Sequence, residues 1–260
     1  MSQDGETSAV TVAVNGVAGR MGRTIVETAA GREDVIVAFG FDVDDEADVD
    51  VPVYAPGEAA TALADRAPDV VVDFTVPEAT LDLVGACEEA GVPLVIGTTG
   101  FEDAGFDRLQ AASESVGVLK ATNFSRGIQA FLRALGPALE TLDEYDVELA
   151  ETHHNAKIDA PSGTANTMLE TIQEHRDLDP VYGREGVQPR EDDEVGVLVS
   201  RLGDVRGEHE VRLGGNDEVL TLAHRAEDRG VFAAGALDAA AWLATQNPGW
   251  YTFGDAIDAT

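Results

Sequence analysis

Lysine is nearly missing from this chain. In 260 residues only Lys120 and Lys157 occur, so fifteen of the 17 basic residues are arginine, set against 49 acids for a net charge of −32. Such an excess of one sign repels itself and destabilises a compact state in dilute buffer. Molar salt shrinks the Debye length to about 3 Å, and the composition reads as a cytoplasmic protein of a salt-adapted organism. With no basic face to offer, an unassisted nucleic-acid partner is not expected. The single Cys87 excludes an intrachain disulfide framework and a cysteine zinc site. No apolar run approaches the roughly 18 residues needed to span a bilayer, so no membrane partner is expected. The opening MSQDGETSAV lacks a basic n-region and an apolar h-region and reads as a short polar tail.

Enough remains to build a core. Hydrophobic residues make up 44% of the chain and the acids are scattered rather than blocked, which argues against a disordered acidic polymer. The length suits one large domain or two modest ones. Apolar runs rich in β-branched residues stand at 10–16, 35–41, 70–75, 93–99 and 116–124, with helix-like stretches between them. Continuously apolar strands separated by helices predict a parallel sheet covered on both faces. Near residue 125 the rhythm changes. A helix at about 127–141 is followed by the strand YDVELAE and the helix TANTMLETIQEH. EVGVLVSRLG, EHEVRLGG and EVLTLAHRA then follow at short separations, which predicts hairpins or a meander in a second domain. The closing VFAAGALDAAAWLATQ is apolar nearly all round and predicts a buried helix.

The first strand runs straight into NGVAGRMGR, which places Gly16, Gly19 and Gly22 on a turn and the first helical turn. Residues without Cβ atoms let backbone N–H groups approach a pyrophosphate at a helix N-terminus. Ala18 stands where a strict G-x-G-x-x-G has its middle glycine, and such glycines also serve plain tight turns. The second strand ends at Asp42, twenty residues after Gly22. An acid there can hydrogen-bond adenosine ribose hydroxyls, or it is one more solvated acid beside Asp44, Asp45 and Glu46. No basic residue lies between Arg32 and Arg66, which favours NADH over NADPH unless Arg20 or Arg23 reaches across. Two loops at strand C-termini, GTTG (97–100) and ATNFS (121–125), either meet the same cofactor or are ordinary turns.

The second lysine lies in ETHHNAKIDAPSGTA, residues 151–165. Pro161, Ser162 and Gly163 open a helix whose free N–H groups favour an anion; a simple cap is the plainer account. Thr164 adds a hydroxyl. His153 and His154 face opposite sides if the strand continues through them, and Lys157 follows in a loop. Cations and proton donors gathered at a helix start suit a small carboxylate ligand and the protonation of a carbanion. A metal on His153 and His154 is the weaker reading, because adjacent histidines chelate poorly within a strand and only Glu151 or Asp159 stands near; no metal is expected.

These residues resemble a known family. VNGVAGRMG, DFTVPEATL, GTTGF, ATNFS and above all ETHHNAKIDAPSGTA, with RLGDVRGEHEV and HRAEDRGVFAAGAL, are similar to 4-hydroxy-tetrahydrodipicolinate reductases (dihydrodipicolinate reductases) of lysine biosynthesis, over almost the whole chain. The resemblance implies an α/β protein: a Rossmann-like parallel-sheet domain, 1–125 with 232–260, and a smaller α+β substrate and oligomerisation domain with a mixed sheet, 126–231. It implies a homotetramer and hydride transfer from NADH or NADPH to a cyclic dicarboxylate. By position, His153 is the proton donor/acceptor and Lys157 the proton donor, and His154, Gly163 and Thr164 hold substrate carboxylates. The cofactor is lined by Gly16, Val17, Ala18, Gly19, Arg20, Met21, Asp42, Gly97, Thr98, Thr99, Ala121, Thr122, Asn123 and Phe124. Many relatives carry Glu-Arg where this chain has Asp42-Val43, which points to NADH. A second basic residue is often found where Asn155-Ala156 stand here, so the positive field around the dianion is thinner. Lys120 has no assigned role beyond a stem packed along the sheet edge. Two other readings compete: a related NAD(P)-dependent dehydrogenase of an acyclic amino acid such as aspartate, and a nucleotide sensor without catalysis.

Overall fold

The structure is a computed structural model that describes residues 9–258; residues 1–8 of the expected polar tail lie outside them. In chain order the elements are β1 (Val10–Asn15), α1 (Arg20–Ala29), β2 (Val35–Phe41), β3 (Val53–Tyr54), α2 (Ala59–Arg66), β4 (Val70–Asp73), α3 (Pro77–Ala90), β5 (Leu94–Ile96), α4 (Asp103–Ala112) and β6 (Gly117–Lys120). There follow α5 (Arg126–Thr141), β7 (Asp146–His153), α6 (Gly163–His175), β8 (Asp179–Tyr182), β9 (Glu194–Arg201), β10 (Glu208–Gly215) and β11 (Glu218–Arg225). The chain closes with α7 (Gly230–Leu243), β12 (Gly249–Tyr251) and α8 (Phe253–Asp258). Two compact units result: Met1–Phe124 with Gly230–Thr260, and Ser125–Arg229. No helix among the described residues is long and apolar enough to cross a membrane.

The first unit holds seven parallel strands in the order β3-β2-β1-β4-β5-β6-β12. Every residue of β4 is buried, as covering both faces requires. On one face Ile25 of α1 and Ala236, Leu237 and Ala240 of α7 pack against Val12, Val14 and Val72. On the other, Leu63, Leu83 and Leu109 of α2, α3 and α4 cover Phe39, Val71 and Leu94. The winding reverses between β1 and β4, so the loops leaving these two strands diverge and open a crevice at their carboxyl ends. Arg32 binds Asp34 at 2.6 Å and Asp238 at 2.8 Å, tying the end of α1 to the returning α7.

The second unit is a five-stranded mixed sheet, β11-β10-β7-β9-β8, with α5 and α6 on one face. Burial alternates along β7 without exception, so Val147, Leu149, Glu151 and His153 all point to the covered face. Burying Met168 and Ile172 of α6 against that face is worth about 1.5–3 kcal/mol per side chain.

One expected pairing is corrected. β10 and β11 form the predicted hairpin, but β9 does not pair with β10. β9 runs parallel to β7, and β10 runs antiparallel to it on the opposite side. Residues 202–207 therefore pass over the end of β7 rather than closing a tight turn. Sequence separation favoured the neighbour; the buried β7, with two edges to fill, took both strands. Three short strands (β3, β8 and β12) and α8 had no counterpart in the periodicity. β2 ends at Phe41, one residue before Asp42, and β7 ends at His153, so His154 belongs to the loop.

Candidate active site

In the first unit the glycine turn follows β1 directly. Gly16 sits at φ +77°, and a Cβ there would lie 2.7 Å from Thr75 Cγ2; a Cβ on Gly22 would strike the Gly16 carbonyl. Both absences are needed to bring the start of α1 against the strand end. Gly19 occupies the N-cap and has no side chain to engage the first-turn N–H groups, which suits a pyrophosphate-bearing cofactor. Val17 is buried, Ala18 and Met21 are half-buried, and Gly19 and Arg20 are exposed. The Ala18 N–H, at the position of the missing glycine, donates to Asp42 Oδ2 at 2.9 Å, and Asp44 N–H donates to Oδ1 at 3.2 Å. The Arg23 guanidinium donates to Ala18 O at 2.8 Å and to Asp48 O at 2.6 Å, linking α1 to the segment after β2.

The other two loops are joined to this turn by a residue that sequence reasoning passed over. Asp73, at the end of β4, is fully buried. It accepts from Asn15 Nδ2 at 2.7 Å and from the hydroxyls of Thr75, Thr80 and Thr98 at 2.7, 2.6 and 2.6 Å. Thr98 in turn accepts from the Thr75 N–H at 2.8 Å. Thus one carboxylate at the switch point gathers the glycine-turn strand, the loop after β4 and the loop Gly97–Thr99. Thr98 is buried while Thr99 is exposed. Along residues 121–124, Ala121 N–H donates to Ile96 O at 3.2 Å, and Phe124 is buried between Phe74 and Phe253. Lys120 ends β6, with Nζ 3.4 Å from Thr98 O and 5.4 Å above the Phe101 ring. Burial pushes its ammonium below the ordinary lysine range. Cys87 is buried in the same unit, and burial pushes its thiol far up, leaving it protonated and inert.

In the second unit, β7 delivers His153 to the buried face and the chain then loops to α6. Glu151, two residues earlier on the same face, accepts from His153 Nδ1, from both Nη atoms of Arg201 at 3.1 and 3.0 Å, and from the Ser162 N–H at 3.1 Å. Burial, the largest single influence, would raise its pKa; the bonds and charges of His153 and Arg201 outweigh it and hold the carboxyl at about 2. Ser162 caps α6 by accepting from the Ala165 N–H at 3.2 Å. Gly163 and Thr164 form the first helical turn, Thr164 buried and His154 half-buried. Lys157 Nζ lies 2.9 Å from Asp159 Oδ1, and its side chain is only 22% exposed. Arg201 also donates to Asp159 O at 2.5 Å, so the loop carrying Lys157 is tied to the Glu151 cluster. His209 stacks edge-on against His153 at 5.1 Å, and its Nε2 lies 3.2 Å from Ser162 Oγ. Burial, and then the neighbouring His153, push His209 down to about 3. His224, its cross-strand partner, lies 3.1 Å from Ser125 Oγ and is also lowered by burial.

Three polar residues here escaped the sequence reading as parts of the site: Glu151, weighed there only as a metal ligand, Arg201 and His209. The alternation of β7 carried a signal for the first, since Glu151 falls in phase with Val147 and Leu149 and an inward acid needs donors. Arg201 and His209 become neighbours only through strand pairing, opposite His153 and Glu151 respectively.

A doubly wound sheet with a glycine turn at its switch point, and a companion unit carrying an imidazole, an ammonium and a helix start, define a nicotinamide-dependent oxidoreductase. Comparison narrows this. A family model described as dihydrodipicolinate reductase, N-terminus, matches residues 10–124, and one described as dihydrodipicolinate reductase, C-terminus, matches 127–257. The 4-hydroxy-tetrahydrodipicolinate reductase of Haloarcula marismortui is 62% identical over 248 residues, covering 95% of this chain and 99% of the relative. That of Natronomonas pharaonis is 56% identical over 253 residues, with the same coverage. Among solved structures, the dipicolinate-bound dihydrodipicolinate reductase from Paenisporosarcina sp. TG-14 superposes with a TM-score of 0.73 at 25% identity, over 94% of this chain and 97% of that one. The chain belongs to the dihydrodipicolinate reductase family.

Proposed function

We propose that this chain reduces 4-hydroxy-tetrahydrodipicolinate, the compound its relatives are named for, to tetrahydrodipicolinate in lysine (diaminopimelate) biosynthesis. Substrate, NAD(P)H and a proton give product, NAD(P)+ and water. The observation that carries this reading is the passage from His153 through Lys157 to Thr164, within a chain matched to the family along both halves.

When bound, the cofactor supplies the hydride. Gly16 to Met21 hold its pyrophosphate on the start of α1, Asp42 takes the adenosine ribose hydroxyls, and the loops Gly97–Thr99 and Ala121–Phe124 line the rest. NADH is favoured, because Asp42, Asp44, Asp45, Glu46 and Asp48 crowd the segment after β2 with negative charge. Arg23 is the group that admits NADPH. On the second unit, the first-turn amides of Gly163 and Thr164, the Thr164 hydroxyl and His154 hold the substrate carboxylates. A dianion at that helix start gains up to about 2 kcal/mol from the dipole. Lys157 gives a proton to the carbon made electron-rich by hydride addition, and His153 exchanges protons with the substrate; such general acid–base help is worth about 10²–10⁴-fold. Asp159 keeps the ammonium on its loop and out of bulk solvent.

On the sheet face turned away from α5 and α6, β11 exposes Val219 and Ala223, and β9 exposes Leu198. An apolar sheet surface of this kind supports assembly of the second unit into a homotetramer in the cytoplasm. The function is tested by following oxidation of the reduced nicotinamide with freshly made cyclic substrate in molar KCl. Reduction of NAD(P)+ by aspartate instead identifies an amino-acid dehydrogenase, and cofactor binding without turnover of either identifies a sensor.

A further inference from the structure

The Glu151 cluster is more elaborate than a strand end requires. One carboxylate joins three pieces of the candidate site: the His153 imidazole, the first residue ahead of α6 through the Ser162 N–H, and, through Arg201, the backbone of the loop carrying Lys157. Its side chain is wholly buried and its two oxygens accept four bonds, so the charge is fully engaged. The backbone arrangement dictates this. Alternation on β7 puts Glu151 and His153 on one face, and parallel pairing sets Arg201 beside His153. An ionised carboxylate can only accept, so His153 must present Nδ1–H to it. The lone pair of the neutral ring then lies on Nε2. Gly207 borders that nitrogen, and a Cβ there would stand 3.1 Å from it, so only a residue without a side chain leaves Nε2 uncovered.

We propose that Glu151 is the positioning residue for His153, fixing the ring as the Nδ1–H tautomer with Nε2 turned to the substrate, and that Arg201 holds Glu151 in place to do so. The inference rests on the proton-exchange role given to His153 above. A carboxylate behind an imidazole fixes its orientation and stabilises the imidazolium that forms when Nε2 accepts a proton, without itself taking the proton. A plain buried ion pair needs only Arg201 and Glu151 and leaves the tautomer of His153 undetermined.

Histidine side-chain ¹⁵N–¹H correlation spectra of the intact, ¹⁵N-labelled protein in molar KCl read the tautomer directly. His153 is expected as the Nδ1–H form, its Nδ1 proton shifted downfield by the carboxylate. In Glu151→Gln that proton moves upfield, and kcat falls by about 10²-fold while KM for NADH stays within twofold. His153→Asn supplies the second arm. If Glu151 acts through the imidazole, Glu151→Gln adds little further loss in the His153→Asn background. An Nε2–H tautomer in the unmodified protein overturns the proposal without any variant having to fold. So does an equal loss from Glu151→Gln in both backgrounds, which marks a scaffold. Full activity in His153→Asn refutes the catalytic role of His153, while the tautomer still decides whether Glu151 positions the ring.

Discussion

Each unit is organised around one buried carboxylate, and the two are satisfied in opposite ways. Asp73 of the first unit is met by three hydroxyls and an amide, all uncharged. Glu151 of the second is met by a guanidinium, an imidazole and a backbone N–H. The division extends further. All five histidines of the chain (153, 154, 175, 209 and 224) lie in the second unit and none in the first. A surface that grips a cofactor gains from donors whose state does not change with pH. A surface that moves protons needs groups able to change state. On the proposed function, these two requirements fall to two separate folds.

Lys157→Ala is the hardest test of that separation. We expect turnover to fall by about 10²–10⁴-fold, with the NADH dissociation constant, measured by calorimetry, unchanged. A parallel loss of NADH affinity would break the separation. Asp73→Ala makes the complementary cut. Four donors lose their acceptor, so stability should drop by about 3 kcal/mol in urea titrations, and NADH affinity should fall with it. Asp73→Asn, which keeps the shape, should lose less.

Acid sharpens the comparison further. His209 is depressed to about 3 from an ordinary 6.5, so the unfolded chain binds the proton first. Its contribution to stability is complete above pH 6.5 and is lost as pH falls towards 3, by up to about 1.4 kcal/mol per pH unit. Glu151, held at about 2 against an ordinary 4.5, adds a second loss beginning only below about pH 5. Between pH 6.5 and 5 the second unit alone should therefore loosen, seen as lower amide protection factors, each referenced to the unfolded-chain exchange rate at the same pH, in β10 and β11. Trp242 and Trp250 both lie in the first unit, and their fluorescence should hold steady over that range. His209→Gln should flatten the exchange response. The smallest effect is on cofactor choice: Arg23→Ala should weaken NADPH by a few-fold, about 1 kcal/mol, and leave NADH within twofold.

Legibility followed the range of the interactions. Five of the seven strands of the parallel sheet were legible because each is a local run of β-branched residues, and α6 because Ser162 opens it with a local cap. β3, β8 and β12 were not, since each stands at the edge of its sheet and is made by the strand it joins rather than by its own pattern. The partner of β9 was misread because pairing is decided by which buried strand has a free edge. At the site, His153, Lys157 and Thr164 stand close in sequence and were visible as a group. Asp73 and Glu151 were hidden in plain view, two acids among 49 in a chain where acids ordinarily coat the surface. Their in-phase positions, Asp73 with Val71 and Glu151 with Leu149, were the only local sign of burial.

The return of the chain has a consequence for its birth. α7 fills the core beneath β1, β4 and β5, and β12 completes the sheet beside β6. On the ribosome, β1 through β6 emerge first, yet one face of their sheet is covered by α1 alone until residues 230–258 follow more than a hundred residues later. The inserted middle, contiguous from 125 to 229, can close its own core as soon as it is out. The part translated first is thus the part finished last, and its half-built sheet must stay soluble in the interim.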